Sequence, residues 1–427
     1  MSRRPRLVAA VLAVLAALAA LAILAALAWP REQFVPAASP DAWAHTSANI
    51  ARGAYLARAG DCMACHTARG GAPYAGGRAM ETPFGTLYTP NITPDRATGI
   101  GKWNADDFWH ALHNGKSRDG RLLYPAFPYT SYTKVSRADS DALFAWLRSL
   151  PPRQVQNRAH ALRFPYDSQL ALAGWRLLYF RPGVFEGDAK RDAQWNRGAY
   201  LVEGLGHCSA CHSTRNRFGA SDDGLGGGLI PTIGWYAPSL TSDREAGLGK
   251  WQEEHIVQLL RTGVAPGASV TGPMAEVVTQ SLQHMNESDV RAMAVYLKSL
   301  PGGSPPAREP APRAPEQVLE EGSRLYRQHC AACHGERGEG LGPYPALAGN
   351  RALSLDEPVN AIRVVLNGGF APATAGNPRP YGMPPFSHVL DDTQVATLVT
   401  YLRASWGNAA APVSSAQVNR YRAVPLD

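Results

Sequence analysis

The sequence predicts a mainly α-helical protein of three tandem repeat units behind an N-terminal transmembrane or signal helix. Three observations support this prediction: one short motif occurs three times, apolar residues recur at helical spacing with weak strand signals, and the N-terminus is apolar. The chain has 427 residues, of which 45% are hydrophobic and 18% charged. This composition is typical of a globular protein with several domains and excludes a disordered chain.

The N-terminal segment, residues 1–33, has the pattern of a signal anchor. Three arginines precede an uncharged apolar run from Leu7 to Trp29. A helix of this length would rise roughly 35 Å, enough to cross a bilayer core of about 30 Å. A positive flank is expected to stay in the cytoplasm, so we expect the rest of the chain to lie outside it, in a periplasm-like space. Cleavage of the segment near Ala26-Leu27-Ala28 is the alternative.

Self-similarity divides the rest of the chain into three units. Arg-Gly-Ala-Tyr-Leu occurs at 52–56 and again at 197–201, and a looser copy begins at Gly322. A repeated supersecondary unit is the usual reason for such a period. The predicted division is domain 1 at 51–155, a connecting segment at 156–189, domain 2 at 190–302, a Pro-rich linker at 303–316, domain 3 at 317–408 and a docking tail at 409–427.

Each unit is predicted to close with an amphipathic helix. Asp139, Asp289 and Asp392 lie near the predicted starts, where a carboxylate suits the positive end of a helix. The predicted closing helices run from Ser140 to Leu150, from Ser288 to Leu300 and from Thr393 to Trp406. Further helices are predicted to end at Gly115, Gly263 and Gly368, and one is predicted from Leu170 to Phe180.

All six cysteines belong to three copies of Cys-x-x-Cys-His. The copies are Cys62, Cys65 and His66; Cys208, Cys211 and His212; and Cys330, Cys333 and His334. At a helix end this spacing lets two thiols form thioethers with one haem while the histidine reaches the iron. A zinc ribbon needs two Cys pairs per metal, and a thioredoxin-like pair does not explain three histidines. The sequence therefore predicts three covalently bound haem c groups with these histidines as iron ligands, one in each of three tandem cytochrome c-like domains.

The sixth iron ligand is predicted to differ between the units. Met274 follows Gly-Pro and Met383 precedes Pro-Pro, and a methionine beside proline in a loop suits an iron ligand better than core packing. In unit 1, Phe127 occupies the aligned place and cannot bind iron. The first haem is therefore five-coordinate or takes another ligand, and the open candidates are Met80, His110, His113 and His160.

Several stretches resemble the three-haem cytochrome c subunits of membrane-bound bacterial dehydrogenases that oxidise alcohols, gluconate, fructose and aldehydes. They are TPFGTLYTPNITPDRATGIGKW, DGRLLYPAFPYTSYTKVS, WNRGAYLVEGLGHCSACHSTRN, GPMAEVV and YLRASWGN. The likeness covers nearly the whole chain after the anchor. It implies the six cysteines and three histidines as haem sites and Met274 and Met383 as axial ligands. Phe127 departs from the methionine of the alcohol and gluconate dehydrogenase cytochromes, and LYPAFPYT resembles cytochromes that accompany molybdenum hydroxylases.

The resemblance implies an electron-transfer subunit of the bacterial inner membrane that faces the periplasm. The expected partner is a catalytic dehydrogenase of the molybdenum hydroxylase, flavin or quinoprotein type, which oxidises an alcohol, aldehyde, sugar acid or N-heterocycle. Electrons would leave to ubiquinone or to a terminal oxidase. The chain has no Gly-x-Gly-x-x-Gly fingerprint in a strand–helix setting and no evident catalytic triad, so we expect no catalytic residues of its own.

Two other functions stay open at the level of sequence. A first haem without a sixth ligand could bind or transform a small ligand, which would make the protein a haem enzyme or ligand-binding cytochrome. An assembly subunit of an oxidase is a third possibility. We expect no nucleic-acid partner, because the net charge of +7 arises partly from the anchor flank and haem propionates would offset the remainder.

Overall fold

The computed structural model describes residues 11–17, 19–20, 45–243, 247–302 and 312–424. The described chain is mostly helical, as the sequence predicts, and its strands are two to four residues long. Strands this short have no room for an alternating pattern, which is why strand signals in the sequence are weak. Most of the predicted N-terminal helix and much of the linker lie outside the described residues. Within the described part, no helix combines the length and the apolar character needed to span a membrane.

Unit 1 begins and ends with long helices that enclose a motif, a hairpin and a central helix. Its elements are α1 (Ser47–Ala59), α2 (Cys62–Cys65), β1 (Ala79–Thr82), β2 (Gly85–Tyr88), α3 (Ala105–Asn114), α4 (Tyr129–Tyr132) and α5 (Arg137–Ser149). Helix α3 starts later than the Gly101-Lys102-Trp103 signal, because Asn104 and Asp107 form a reciprocal capping box. The connecting segment adds β3 (Ala161–Leu162) to the edge of β2 and then forms α6 (Gln169–Tyr179).

Unit 2 repeats this order. Its elements are α7 (Ala193–Tyr200), a π-helical turn (Leu201–Leu205), α8 (Ser209–His212), β4 (Gly228–Ile230), β5 (Trp235–Ala237), α9 (Glu253–Thr262), β6 (Val264–Ala265), β7 (Ala268–Ser269), α10 (Pro273–Gln280), a 3₁₀ turn (Leu282–His284) and α11 (Glu287–Ser299). The pairs β4–β5 and β6–β7 are antiparallel hairpins.

Unit 3 is a shorter version with a C-terminal extension. Its elements are α12 (Glu316–His329), α13 (Ala331–His334), α14 (Arg351–Ser354), α15 (Val359–Asn367), β8 (Gly369–Phe370), β9 (Gly382–Met383), α16 (Asp392–Ala404) and α17 (Ser415–Arg422). Helix α17 lies in the predicted tail and packs on α15 and α16. Val418 is fully buried there, so the tail docks on its own chain.

In each unit the first and last helices cross at a glycine. A Cβ atom at Gly53 or Gly198 would lie 2.0 Å from the carbonyl oxygen of Ala142 or Ala292, respectively. At Gly322 it would lie 2.4 Å from the Cβ atom of Tyr401. Only glycine allows helix backbones to approach this closely, which gives the repeated glycine of the Arg-Gly-Ala-Tyr pattern its physical reason.

The arginine of this pattern binds an aspartate of its own unit, whereas the tyrosine binds an aspartate of the neighbouring unit. Arg52 in α1 binds Asp139 in the closing helix of its own unit, with its Nη2 atom 2.5 Å from Oδ1. The other oxygen of Asp139 accepts a hydrogen bond of 2.5 Å from the hydroxyl of Tyr200, which belongs to unit 2. One carboxylate thus joins both units.

The second copy repeats this arrangement with the units exchanged. Arg197 donates to both oxygens of Asp289 in its own closing helix, at 2.8 and 2.7 Å. Tyr55 of unit 1 donates to the same carboxylate at 2.5 Å. Asp139 and Asp289 do lie in the first turns of their helices, as predicted. Their carboxylates also form a reciprocal lock between units 1 and 2, which no sequence pattern predicted.

Units 1 and 2 share one hydrophobic core, whereas unit 3 has its own. The shared core contains buried residues of both units, among them Leu56, Leu143, Leu201 and Met293. Unit 3 joins unit 2 at Tyr236, whose side chain packs against the unit 3 core and whose backbone forms polar contacts with unit 3. The side chain of Asn360 accepts from the amide of Tyr236 at 2.9 Å and donates to its carbonyl at 2.7 Å.

Candidate haem sites

The three Cys-x-x-Cys-His motifs adopt the same local structure. Each follows the first helix of its unit and forms a single helical turn. In each, the amide of the histidine donates to the carbonyl of the first cysteine, at 3.0 Å in unit 1 and 2.9 Å in units 2 and 3. The turn brings the first cysteine and the histidine, four residues apart, to one side of the chain. All six sulfurs are free of disulfide bonds.

Each motif histidine is held by the carbonyl of a distant proline. The contacts run from Nδ1 of His66 to Pro90 (2.8 Å), of His212 to Pro238 (2.6 Å) and of His334 to Pro345 (2.9 Å). A carbonyl can only accept, so Nδ1 carries the proton and Nε2 keeps its lone pair. Histidines that bind a metal usually have this second contact, because it fixes the tautomer and the ring orientation.

The sequence contained a signal for two of these prolines. Pro90 and Pro238 occupy equivalent positions in the repeated Tyr-Thr-Pro-Asn and Tyr-Ala-Pro-Ser stretches. They lie 24 and 26 residues after their histidines, whereas Pro345 lies only 11 residues after His334. Because the loop of unit 3 is shorter, its proline has no equivalent place in the repeat.

Burial governs the protonation of the motif residues. It lowers the pKa of His66 and His334, and it lowers that of His212 to about 4 although the Pro238 carbonyl acts in the opposite direction. These imidazoles are therefore neutral near pH 7. Burial also raises the pKa of Cys62 and Cys208 to about 12. Thioredoxin-like redox pairs have the opposite shift, because their chemistry needs an accessible thiolate.

The two predicted methionine ligands lie in different kinds of structure. Met274 is the second residue of α10, whereas the sequence predicted a loop there. Proline at the first helical position starts this helix, and Gly272 before it has φ of +57°. Met383 lies in β9, where its carbonyl approaches Gly368 so closely that a Cβ atom there would be 2.2 Å away. Both side chains are partly buried against the core of their unit.

Phe127 lies near the first motif. Its ring packs against the shared core with its centroid 5.3 Å from that of Tyr132. The Tyr132 hydroxyl donates to the carbonyl of Gly60, two residues before Cys62. Phe127 therefore occupies an apolar position in the surroundings of the first motif.

The four alternative ligands of the first haem stay candidates, and the structure gives the three histidines other neighbours. Met80 lies in β1, and His110 contacts the side chain of Asn114 at 2.9 Å. His113 is fully buried and its ring stacks on that of Trp109, with the ring centroids 4.5 Å apart. The Nδ1 atom of His160 accepts a hydrogen bond of 3.2 Å from the amide of Tyr88.

Comparison with known proteins identifies cytochrome c segments in units 1 and 3. A cytochrome c family model matches residues 50–151 and 319–406. The chain is 42% identical to the gluconate 2-dehydrogenase cytochrome c subunit of Pantoea cypripedii, over 84% of this chain and 86% of that protein. It is 38% identical to the cytochrome c subunit of a quinone-type alcohol dehydrogenase of Gluconobacter oxydans, over 87% of this chain and 82% of that protein.

A longer relative gives a similar match. The chain is 44% identical to a nicotinate dehydrogenase subunit of Pseudomonas putida over 88% of its own length, but it spans only 32% of that protein. The chain belongs to the cytochrome c subunits of bacterial dehydrogenases. Covalently bound haem c is thus its cofactor class, and the donor set fits: paired thiols beside a histidine whose Nε2 is left for iron.

Proposed function

We propose that this chain is a membrane-anchored, periplasm-facing cytochrome with three haem c groups that carries electrons from a catalytic dehydrogenase subunit to ubiquinone or a terminal oxidase. The observation that carries this proposal is the threefold recurrence of Cys-x-x-Cys-His with its histidine held through Nδ1 by a prolyl carbonyl. Each haem would supply an Fe(III)/Fe(II) couple for one electron. The thiols would attach it and the neutral histidines would bind its iron, while Met274 and Met383 are proposed as sixth ligands.

The catalytic partner is proposed from the relatives. Their names describe subunits of nicotinate, gluconate and alcohol dehydrogenases, so the partner would oxidise a small organic substrate. The resemblance of the stretch around Phe127 to cytochromes that accompany molybdenum hydroxylases favours a partner of that type over a flavin or quinoprotein enzyme. One relative is named as a nicotinate dehydrogenase subunit. The apolar N-terminal segment with its arginine flank supports the proposed anchor and location.

The haem count provides the direct test. Purified protein, assayed as the pyridine haemochrome, should contain about three haems per chain, and Cys208→Ala/Cys211→Ala should contain about two, because each Cys pair attaches one haem. Mixing the oxidised protein with its dehydrogenase and substrate should then reduce the haems. A count of two in the wild type, or no reduction by any dehydrogenase encoded beside it, would contradict the proposal.

Phe127 favours a second candidate function, a small-ligand site at the first haem. Carbon monoxide binds ferrous haem only where the sixth position is open or weakly occupied. Rapid binding of CO by about one third of the haem in the reduced protein would support this function. Three haems that do not react with CO would exclude it.

A further inference from the structure

The helix that carries Met274 is short and mostly only partly buried. Helix α10 spans eight residues, of which Val278 alone is fully buried, while Met274, Ala275 and Val277 pack partly buried against the shared core. The turn before it is fixed by close approach, since a Cβ atom at Gly272 would lie 2.5 Å from the ring of Trp235. So short a helix depends on contacts with neighbouring elements for its position.

Two of these contacts come from unit 1. Arg78 donates to both carboxylate oxygens of Glu276, at 2.5 and 2.9 Å. The same guanidinium donates at 2.5 Å to the carbonyl of Ala64, which lies inside the first Cys-x-x-Cys. At the other end of α10, the hydroxyl of Ser281 donates to the carbonyl of Ala59 at 3.5 Å, a long hydrogen bond. Helix α10 therefore lies against α2, the first motif helix.

We propose that Arg78 is a positioning residue that fastens the helix carrying Met274 to the first haem-binding segment. Ligation of the second haem by Met274 then depends on a side chain of unit 1, and the two neighbouring haem sites are mechanically coupled. This inference rests on the proposed function, in particular on Met274 as a ligand. The planar guanidinium suits the role, because it can bind a carboxylate with two parallel bonds and still reach a carbonyl.

The exposure of this ion pair makes the inference testable. The side chains of Arg78 and Glu276 are 35% and 39% exposed. Ion pairs with such access to water contribute little to overall stability. Removing Arg78 should therefore change the local position of α10 without unfolding the protein.

The experiment compares Arg78→Gln with the wild type as full-length, haem-loaded protein. Haem content should be unchanged. The long-wavelength absorption band of ferric haem with a methionine ligand should fall by about half, because one of two predicted methionine ligands is displaced. In a redox titration one component should shift to lower potential, since loss of a thioether disfavours ferrous iron. Glu276→Gln leaves the hydrogen bond from Arg78 to the Ala64 carbonyl in place but removes the charge that pairs Arg78 with α10, and it should give the same changes.

Arg291→Gln is the matched control. Arg291 belongs to unit 2, as Glu276 does, and its side chain is 34% exposed, close to the exposure of Arg78. It forms ion pairs with three glutamates outside α10, namely Glu253, Glu254 and Glu287. Its replacement should leave the band and the potentials unchanged. If Arg78→Gln and Glu276→Gln both retain the full band and all potentials, the inference is wrong. If Met274→Leu retains the full band, Met274 is not a ligand and the inference is wrong as well. The haem count tests the proposed function separately.

Discussion

At the level of single residues, the orientation of each motif histidine depends on a proline far along the chain. The carbonyls of Pro90, Pro238 and Pro345 accept the Nδ1 proton, which leaves the Nε2 lone pair for the proposed iron. The motif itself was evident in the sequence because its spacing is local. The partner carbonyls were not, because a backbone acceptor has no residue-type signature.

Replacing Phe127 with methionine tests whether this position faces the first haem. Methionine is flexible and close enough in volume to fit the same apolar position. We expect Phe127→Met to add a methionine-type ferric absorption band and to suppress any CO binding by the reduced protein. Phe144→Met, at a buried position of the same core, is the control and should change neither property. An unaltered spectrum in Phe127→Met would place the residue away from the iron.

Arg351, a residue of unit 3, is expected to raise the reduction potential of the proposed second haem. Its guanidinium donates to the carbonyl of Ser239, the residue after the proline that holds His212. Burial lowers the pKa of Arg351 to about 10, so it stays charged at pH 7. A nearby cation favours ferrous over ferric iron. At an effective dielectric of about 20, loss of this cation should disfavour the ferrous state by about 1 kcal/mol, which lowers the reduction potential of the haem by roughly 40 mV.

Redox titration of Arg351→Gln should therefore reveal one haem with a lowered potential. The exposed Arg379 offers the control, and Arg379→Gln should leave all potentials in place. Equal potentials in Arg351→Gln and the wild type would show that the charge is too well screened to act on the haem.

At the level of elements, the repeated glycines decide how closely the first and last helices of a unit approach. The sequence identified the repeat around Gly53 and Gly198, and it predicted helices ending within a few residues of those observed. The need for glycine follows only from the contact with a backbone carbonyl in the opposite helix. That contact joins residues that are far apart in the chain, so no local sequence pattern predicts it.

Gly198→Ala should destabilise units 1 and 2 strongly. The added Cβ atom would meet the Ala292 carbonyl at 2.0 Å, and overpacking of this kind costs about 1–3 kcal/mol. Gly174→Ala in α6 is the matched control, because a Cβ atom there meets nothing within 4 Å. It should raise stability by up to about 1 kcal/mol. Chemical denaturation of both variants measures the difference, and equal effects would contradict the close crossing.

At the level of the whole molecule, the three units are not equivalent. Units 1 and 2 share a core and the reciprocal lock, whereas unit 3 folds around a separate core. The sequence predicted three similar units in a row. The Arg-Gly-Ala-Tyr pattern occurs at 52 and 197 but not in that form at 322. That units 1 and 2 pair follows only from the hydrogen bonds of the two tyrosines to Asp289 and Asp139 of the neighbouring unit.

The lock predicts a loss of stability in acid. Burial raises the pKa of Asp289, but hydrogen bonds from Arg197 and Tyr55 outweigh burial and leave it below its ordinary value. A lowered pKa in the folded state gives stability that is present above the ordinary value of about 3.9 and is lost as the pH falls below it.

Asp289→Asn should remove this pH dependence. At pH 7 it should lower the stability of units 1 and 2 by about 2 kcal/mol, the typical loss of charged hydrogen bonds. The wild type and the variant should converge as the pH falls below about 4. Urea denaturation at several pH values measures this. Asp223→Asn, at an exposed position, should follow the wild type, and parallel pH profiles for Asp289→Asn and the wild type would contradict the role of the lock.

The sequence by itself determined the helical class, the three motifs and the residues expected to attach and bind haem, because thioether spacing and helical periodicity are local properties. The tertiary structure decided which atom of each histidine is left for iron, how units 1 and 2 are joined, and that Arg78 contacts the helix of Met274. These features depend on contacts between distant residues, many of them with backbone carbonyls. A carbonyl is common to every residue, so only the folded chain reveals which one is used.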